Sequence, residues 1–397
     1  MQILVLNSGS SSIKFQIIEM PSEIIICKGL VERIGHNNAK IHYTTKAISL
    51  SEEKAVFSHK EGLEAITTLL MDADNGVLKT AEEIALVAHR VVHGGDRFNK
   101  PAKIDASVLA EIERLSILAP LHNPANATGI KVAAEIFKNA VQVAVFDTAF
   151  HQTLPEKAYR YAIPKALADR EHIRVYGFHG TSHHYVSEKA IDYLNTSASR
   201  IISIHLGNGC SITAVKDGKS VDHSLGFGPT NGPLMGTRSG DIDQSVVFFL
   251  MDSLKMSSQE ANELLQKQSG LLGITGYSDL RDVQTQAANG NQDCQLALDM
   301  MAYRIKKFIG SYIAVLNGVD ALLFTAGIGE NSSLLRAMVC ENMDGLGIKI
   351  DLKKNQKRTD GIQEIQHEDS RVKILVVPTN EELEIAKQAF ELIHPIS

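Results

Sequence analysis

Two related phrases stand half a chain apart in this sequence. Ile3-Leu4-Val5-Leu6-Asn7-Ser8-Gly9-Ser10-Ser11-Ser12-Ile13-Lys14-Phe15 and Ile201-Ile202-Ser203-Ile204-His205-Leu206-Gly207-Asn208-Gly209-Cys210-Ser211-Ile212 each read as an apolar strand, a turn of small residues and a second apolar strand. A turn of Gly, Ser and Asn brings backbone N–H groups and short hydroxyls close to an anion without steric cost, so each phrase reads as a phosphate cradle. One such segment alone is an ordinary β-hairpin with a polar turn. Two of them, one per half, point to a duplicated domain that grips a polyphosphate in the cleft between its halves. Overlaying the halves sets Ser12-Ile13 on Ser211-Ile212, with Gly9 and Ser10 opposite Asn208 and Gly209.

At 397 residues the chain is long enough for two domains, each burying its own core. Its 44% hydrophobic and 22% charged residues are those of a globular protein. The net charge of −6, with no basic stripe interleaved with aromatics, argues against nucleic acid as a partner. The four cysteines, Cys27, Cys210, Cys294 and Cys340, are scattered and form no CxxC pair, which points to a reducing cytoplasm rather than to zinc or a disulfide framework. The N-terminus runs straight into a strand with no basic leader, and no apolar stretch is long enough to span a bilayer, so neither secretion nor a membrane partner is expected.

Residues 1 to about 46 alternate as a meander of strands. A helix is expected near Gly62 to Met71, a strand over Ile84–His89, helical spacing over Asp105 to Leu118, and a helix to Phe137 opened by Asn123 as N-cap with Pro124 at its first position. The strand Val141–Phe146 stops at Asp147. After a connecting stretch, Leu154 to Tyr176, the strand-turn-strand pattern restarts at Ile201, and from Asp241 to Asn317 the chain reads as mainly helical. The strand Ala321–Phe324 runs into the turn Thr325–Asn331 and a helix; a strand over Val372–Val377 and a helix over Glu381–Ile393 close the chain. Meanders and strand-to-helix crossovers in both halves give an α/β fold of two related domains.

No G-x-x-x-x-G-K-[ST] phosphate loop occurs, and the glycine-rich run Gly226–Gly232 is mis-spaced for a dinucleotide fingerprint. If nucleotide binds, it must be through the paired hairpins, where Lys14 can neutralise phosphate oxygens and Asn7 can take part in a hydrated Mg²⁺ shell. His179 and His183 stand at the i, i+4 spacing of a zinc pair, but no glutamate base or third ligand accompanies them. His183 and His184 read as packing at the start of a helix.

Val5–Lys14 resembles the N-terminal signature of the acetokinase family, within the sugar kinase, heat-shock and actin-like ATPase superfamily. His89-Arg90-Val91-Val92-His93-Gly94-Gly95, Phe146–His151, Gly177–His183, His205–Gly209, Met235–Asp241, Gly327–Asn331 and Thr379–Glu382 resemble its later motifs in the family's order. The resemblance spans the chain. It implies two duplicated actin-like (ribonuclease H-like) domains with an interdomain active-site cleft: residues 1–150 completed by a C-terminal helix, 382–397, and a nucleotide-binding domain over 151–381. It implies direct, reversible, in-line transfer of the ATP γ-phosphoryl group to acetate, giving acetyl phosphate and ADP.

By this resemblance Arg90 binds the substrate carboxylate, Arg238 stabilises the transition state and His179 hydrogen-bonds the transferring phosphoryl group. Guanidinium suits the meeting of two anions, because its planar fork holds a carboxylate bidentately and does not deprotonate. Asp147 has a catalytic role in the family; since a carboxylate substrate is already ionised at neutral pH, Asp147 is expected to position Mg²⁺ through water or to orient an arginine. The resemblance assigns Ser10, Ser12, Lys14, His205, Leu206, Gly207, Asn208 and Gly209 to the nucleotide phosphates. It assigns Asp279, Leu280, Arg281, Gly327, Ile328, Gly329, Glu330 and Asn331 to adenosine. Asn7 and Glu381 would serve Mg²⁺, or Mn²⁺ in its place, and Val92, Leu121, Phe178 and Pro229 would face the acyl methyl. A homodimer is implied too. The chain departs from the family at Gly228-Pro229-Thr230-Asn231-Gly232, which is more polar and less acidic than the usual Thr-Pro-Leu-Glu-Gly. The alternatives are a propionate-using member of the family and, from a different class, a nucleotide-driven chaperone or filament ATPase that needs no carboxylate.

Overall fold

The computed structural model describes residues 1–196 and 198–395. They form two compact units, one of Met1–Phe150 with the chain from Asn380 onward, the other of His151–Thr379.

The first unit is built on β1 (Gln2–Ser8), β2 (Ser12–Glu19), β3 (Ile24–Glu32), β4 (His36–Thr45), β5 (Ser49–Val56), β6 (Leu86–Val91), β7 (Ala102–Lys103) and β8 (Val141–Phe146), ordered β5-β4-β3-β2-β1-β6-β8-β7. β1 to β5 form an antiparallel meander, while β6 and β8 run parallel to β1. Ile3, Leu4, Val5 and Leu6 are buried in succession, as a central strand covered on both faces requires. One face packs Leu4, Leu6, Ile13 and Phe15 against Leu63, Ile66 and Leu70 of the helix His59–Leu70. The closing helix Glu381–Ile393 opens on Asn380, whose side chain accepts the Leu383 N–H.

Two expectations need correction here. The meander does not stop near residue 46; β5 adds a strand whose residues are mostly exposed, and without alternation of burial there is little periodicity to read. The helix Asn123–Ile136 has His122, not Asn123, as its N-cap. The Asn123 side chain points into the core instead: its Oδ1 accepts the His93 N–H at 3.1 Å and its Nδ2 donates to the carbonyls of His93 and Ile112 at 3.0 and 3.2 Å.

The second unit repeats the plan. β9 (Arg200–Leu206), β10 (Cys210–Lys216), β11 (Lys219–His223), β12 (Ala321–Thr325), β13 (Gln363–Glu364) and β14 (Lys373–Val376) are ordered β11-β10-β9-β12-β14-β13. Within each sheet five strands follow one pattern, three antiparallel and then two parallel, β3-β2-β1-β6-β8 in the first and β11-β10-β9-β12-β14 in the second. The hairpins differ by one residue in the turn: Ser8 pairs with Ile13, but Leu206 pairs with Cys210. The sequence overlay of Ile13 on Ile212 is therefore out of step, and the strand partners Asn7 and Lys14 correspond to His205 and Ser211. The second hairpin has no lysine at that place.

Candidate functional site

Both hairpin turns keep most of their carbonyls occupied. In the first, Ser8 O accepts from Asn126 Nδ2 at 2.7 Å, Gly9 O from His59 Nε2 at 2.6 Å, Ser11 O from the Ile34 N–H at 2.9 Å and Ser12 O from the Gly9 N–H at 2.8 Å. The N–H groups of Ser10 and Ser11 meet no acceptor among the described residues, which is the polarity an anion needs. In the second turn Gly207 N–H donates to Gly209 O at 3.0 Å and Asn208 O accepts from the Gly236 N–H at 3.4 Å.

Beside the first turn, within the first unit, strand ends gather a charge cluster. Arg90 on β6 presents Nε to Asp147 Oδ1 at 3.2 Å and Nη2 to Asp147 Oδ2, a bidentate pair with Asp147 fully buried. Arg90 Nη1 donates to Asn7 Oδ1 at 3.3 Å. Lys14 Nζ lies 2.6 Å from Glu382 Oε1, whose other oxygen accepts from Gln16 Nε2 at 3.4 Å. Burial opposes the charge on Arg90, yet Asp147, Glu381 and Glu382 outweigh it and raise its pKa. Glu381 is pushed up, first by burial and then by Asp147 and Glu382, against the lowering pull of Arg90 and Lys14. Three carboxylates thus face two cations, and the Glu381 carboxylate has no hydrogen-bond partner among the described residues. That excess of negative charge, presented by hard oxygen donors including the Asn7 amide, fits a divalent cation of the Mg²⁺ or Mn²⁺ kind.

In the second unit a cavity of about 640 Å³ is lined by Gly207, Asn208, Asp279, Leu280, Arg281, Gly327, Ile328 and Asn331, all singled out from the sequence, and by Gly236, Ser278, Gln284 and Ser332, which were not. Gln284 is held by a bond from Nε2 to Ser332 Oγ at 2.6 Å. Asp279 caps the helix Leu280–Ala288, accepting the Arg281 N–H at 2.8 Å, and also holds the exposed Arg281 guanidinium. The segment expected as a turn, Gly327–Asn331, is itself helical, Ala326–Asn331. It springs from the end of β12 through Ala326, whose φ of 65° turns the backbone sharply. His205, Leu206, Gly209, Gly329 and Glu330 lie outside this cavity wall.

Gly209 faces elsewhere: a Cβ there would stand 3.2 Å from His179 Cε1 and 3.4 Å from Arg238 Nη1, so the end of the second turn, His179 and Arg238 converge. Arg238 is half-buried and donates from Nη1 to Pro229 O at 3.1 Å. No carboxylate among the described residues pairs with it, and burial lowers its pKa. It differs in this from Arg90. Asp241 ties down the polar loop Gly228–Gly232, accepting from Gly232 N at 2.8 Å and Asn231 Nδ2 at 3.3 Å. Of the four expected acyl contacts, Val92 is buried and Leu121 half exposed in the first unit; Phe178 is buried and Pro229 half-buried in the second.

His179 precedes the helix Gly180–Leu194 with φ of 56°, and its Nδ1 meets Ser211 Oγ at 2.9 Å. Its ring stacks on His205 at 4.4 Å, and His205 Nδ1 meets Ser182 Oγ at 2.9 Å. His183 is fully buried with Ser203 Oγ and Ser211 Oγ each 2.8 Å from a ring nitrogen, so it sits among hydroxyls. Burial first, then His151 and His205, hold it well below the usual imidazole range.

Duplicated sheets with a phosphate-type turn at each first hairpin, and an arginine-carboxylate fork beside one of them, define a phosphotransferase of the actin-like ATPase fold class. The chain belongs to the acetokinase family, whose sequence model matches residues 2–387. It is 58% identical to the acetate kinase of Flavobacterium johnsoniae over 99% of this chain and 100% of that one. The crystal structure of Porphyromonas gingivalis acetate kinase superposes with a TM-score of 0.93 at 43% identity, covering 99% of each chain. A propionate kinase from Francisella tularensis superposes with a TM-score of 0.93 at 43% identity, covering 98% of this chain and 99% of that one.

Sequence reasoning missed Asn126, whose Oδ1 accepts the Val92 N–H at 3.1 Å while its Nδ2 holds Ser8 O. A buried asparagine one helical turn after Asn123 was the available signal, since burial of an amide requires partners for it.

Proposed function

We propose that this chain transfers the γ-phosphoryl group of ATP in line to a carboxylate oxygen of acetate, giving acetyl phosphate and ADP, and runs the reaction in reverse. The observation that most supports this reading is the contrast between the two arginines. Arg90 is held as a rigid fork by Asp147, with Asn7 at its third edge, which suits a carboxylate. Arg238 keeps a half-buried charge with no carboxylate partner among the described residues, which suits a phosphoryl group in transit.

Acetate is ionised at neutral pH, so no base is needed; Asp147 orients Arg90. His179 hydrogen-bonds the transferring group, and the turns at Ser10–Ser12 and Gly207–Gly209 hold phosphates with Lys14. Adenosine occupies the cavity between Asp279–Arg281 and Gly327–Asn331. Asn7 and Glu381 would hold Mg²⁺, which supplies neutralisation of polyphosphate charge. Val92, Leu121, Phe178 and Pro229 face the methyl group. Such a wall separates substrates differing by one methylene by only about 1–3 kcal/mol, so propionate is a slower substrate.

The protein works as a cytoplasmic homodimer. The exposed apolar side chains of Phe248, Phe249 and Tyr303 support a partner subunit, and no described helix is long and apolar enough to cross a membrane. Trapping acyl phosphate as its hydroxamate, with acetate, propionate and butyrate in parallel, tests the reading. Acetate should give the fastest hydroxamate formation, propionate less and butyrate least. ATP hydrolysis without any hydroxamate would replace it with an ATPase; propionate outrunning acetate would replace it with a propionate kinase.

A further inference from the structure

The second unit buries three histidines that the proposed chemistry does not use. His151 and His183 are fully buried and His223 nearly so, and the rings of His151 and His223 lie 4.0 Å apart. Two of them hold opposite ends of one residue. The Phe178 N–H donates to His223 Nε2 at 3.0 Å, and the Phe178 carbonyl lies 3.0 Å from His151 Nε2. A backbone N–H only donates and a carbonyl only accepts, so each bond fixes a tautomer. His223 Nε2 must carry a lone pair, which puts its proton on Nδ1, facing Thr213 Oγ1 at 2.8 Å. His151 Nε2 must carry a proton; in the neutral ring Nδ1 then accepts from Ser220 Oγ at 2.9 Å.

The residue after the clamped one is His179, whose φ of 56° is a conformation that a side chain with a Cβ disfavours. On the other side, Gly177 has φ of 76°, and a Cβ there would stand 2.6 Å from His151 Cγ. The backbone from Gly177 to His179 is thus bent at both ends and pinned in the middle.

We infer that His151 and His223, fixed as opposite neutral tautomers, are positioning residues that clamp the Phe178 peptide and so aim His179 at the phosphoryl group. The inference rests on the proposed role of His179. His223 stays neutral because burial disfavours a charge on it, and any proton taken up by the rings of His151, His183, His179 or His205 would disfavour it further. A protonated His223 would lose its acceptor and break the clamp.

Two measurements test this. Nitrogen-15 spectra of histidine-labelled full-length protein, assigned with the single variants, should show His223 as the Nδ1–H tautomer and His151 as the Nε2–H tautomer at pH 7. The opposite tautomer, or an imidazolium, at either residue overturns the inference. In kinetics, His223→Leu removes the acceptor and should lower kcat about 10- to 100-fold with KM values within about threefold, the cost of misplacing a reacting group by a fraction of an ångström. His223→Gln offers an amide oxygen to the same N–H and should recover at least half of that loss on a logarithmic scale. In a His179→Ala background His223→Leu should cost less than about threefold more, because the group it aims is gone. Equal losses in the Leu and Gln variants, or full multiplication in the double variant, overturn the clamp. If His179→Ala alone leaves kcat intact, it is the role of His179 that fails, and the tautomer measurement still decides the clamp.

Discussion

Replacing Asp147 by asparagine isolates what that carboxylate does. The substitution preserves shape but exchanges two charge-assisted acceptors on Arg90 for one neutral acceptor and an amide that faces the guanidinium donor to donor. A hydrogen bond to a charged group is worth about 1.5–3 kcal/mol, so losing one and weakening the other removes roughly 2–4 kcal/mol of orientation. The same change also deletes a negative charge near the acetate site. For charges about 7 Å apart at an effective dielectric constant near 20, that strengthens acetate attraction by about 2 kcal/mol. Binding therefore nearly breaks even, while turnover, which depends on geometry, bears the loss. The expectation is a fall in kcat of roughly 30- to 900-fold with KM for acetate changed by less than about tenfold. Initial rates of acetohydroxamate formation in Asp147→Asn, Arg90→Ala and the double variant measure it. If Asp147 works through Arg90, the second substitution adds less than about threefold to Arg90→Ala. Full multiplication in the double variant, or near-normal kcat in Asp147→Asn, would refute the reasoning.

Arg238→Ala should lower kcat by about 10³ to 10⁵ with modest changes in KM, whereas Arg90→Ala should act mainly on acetate use; equal small effects in the two would contradict their separate roles. Burial lowers the pKa of His89, despite its bond to Gln142, to about 4, and that of His93, despite Asp96, to about 4, so both fold neutral. An unfolded chain takes up these protons near pH 6.5, so stability is full above pH 6.5 and is lost as pH falls toward 4, by roughly 2 kcal/mol per histidine at pH 5. The thermal midpoint should drop over that interval, and more gently in His89→Gln; an unchanged slope would contradict the assignment. Burial pushes the thiols of Cys27, Cys210 and Cys340 up to about 12, so alkylation in the native state at pH 8 should be slow and should accelerate on unfolding.

The paired hairpins were legible because a Gly, Ser and Asn turn between apolar strands is a local pattern. The closing helix was equally plain, since Leu383, Ile385, Ala386 and Ala389 mark one buried face. Sheet order was not: the parallel pairing of β1 with β6 joins Leu6 to His89 across a span no periodicity reports. The same limit hid the fork. Arg90 and Asp147 each stood out beside a motif, but their bidentate pairing depends on β6 and β8 lying side by side. The stretch Gly327–Asn331 reads as a loop from sequence because its glycines obscure the helix Ala326–Asn331 that follows the strand. The histidine clamp was invisible, because tautomers follow from which backbone group faces each ring, and sequence spacing carries nothing of that.

Direct, in-line transfer to a carboxylate is the claim on which the other roles depend. The most direct measurement is the configuration at phosphorus in acetyl phosphate made from ATP bearing a chiral, isotopically labelled γ-phosphoryl group. Inversion is expected, as one displacement by the acetate oxygen demands. Retention would mean a phosphorylated enzyme between two displacements, and would contradict the account.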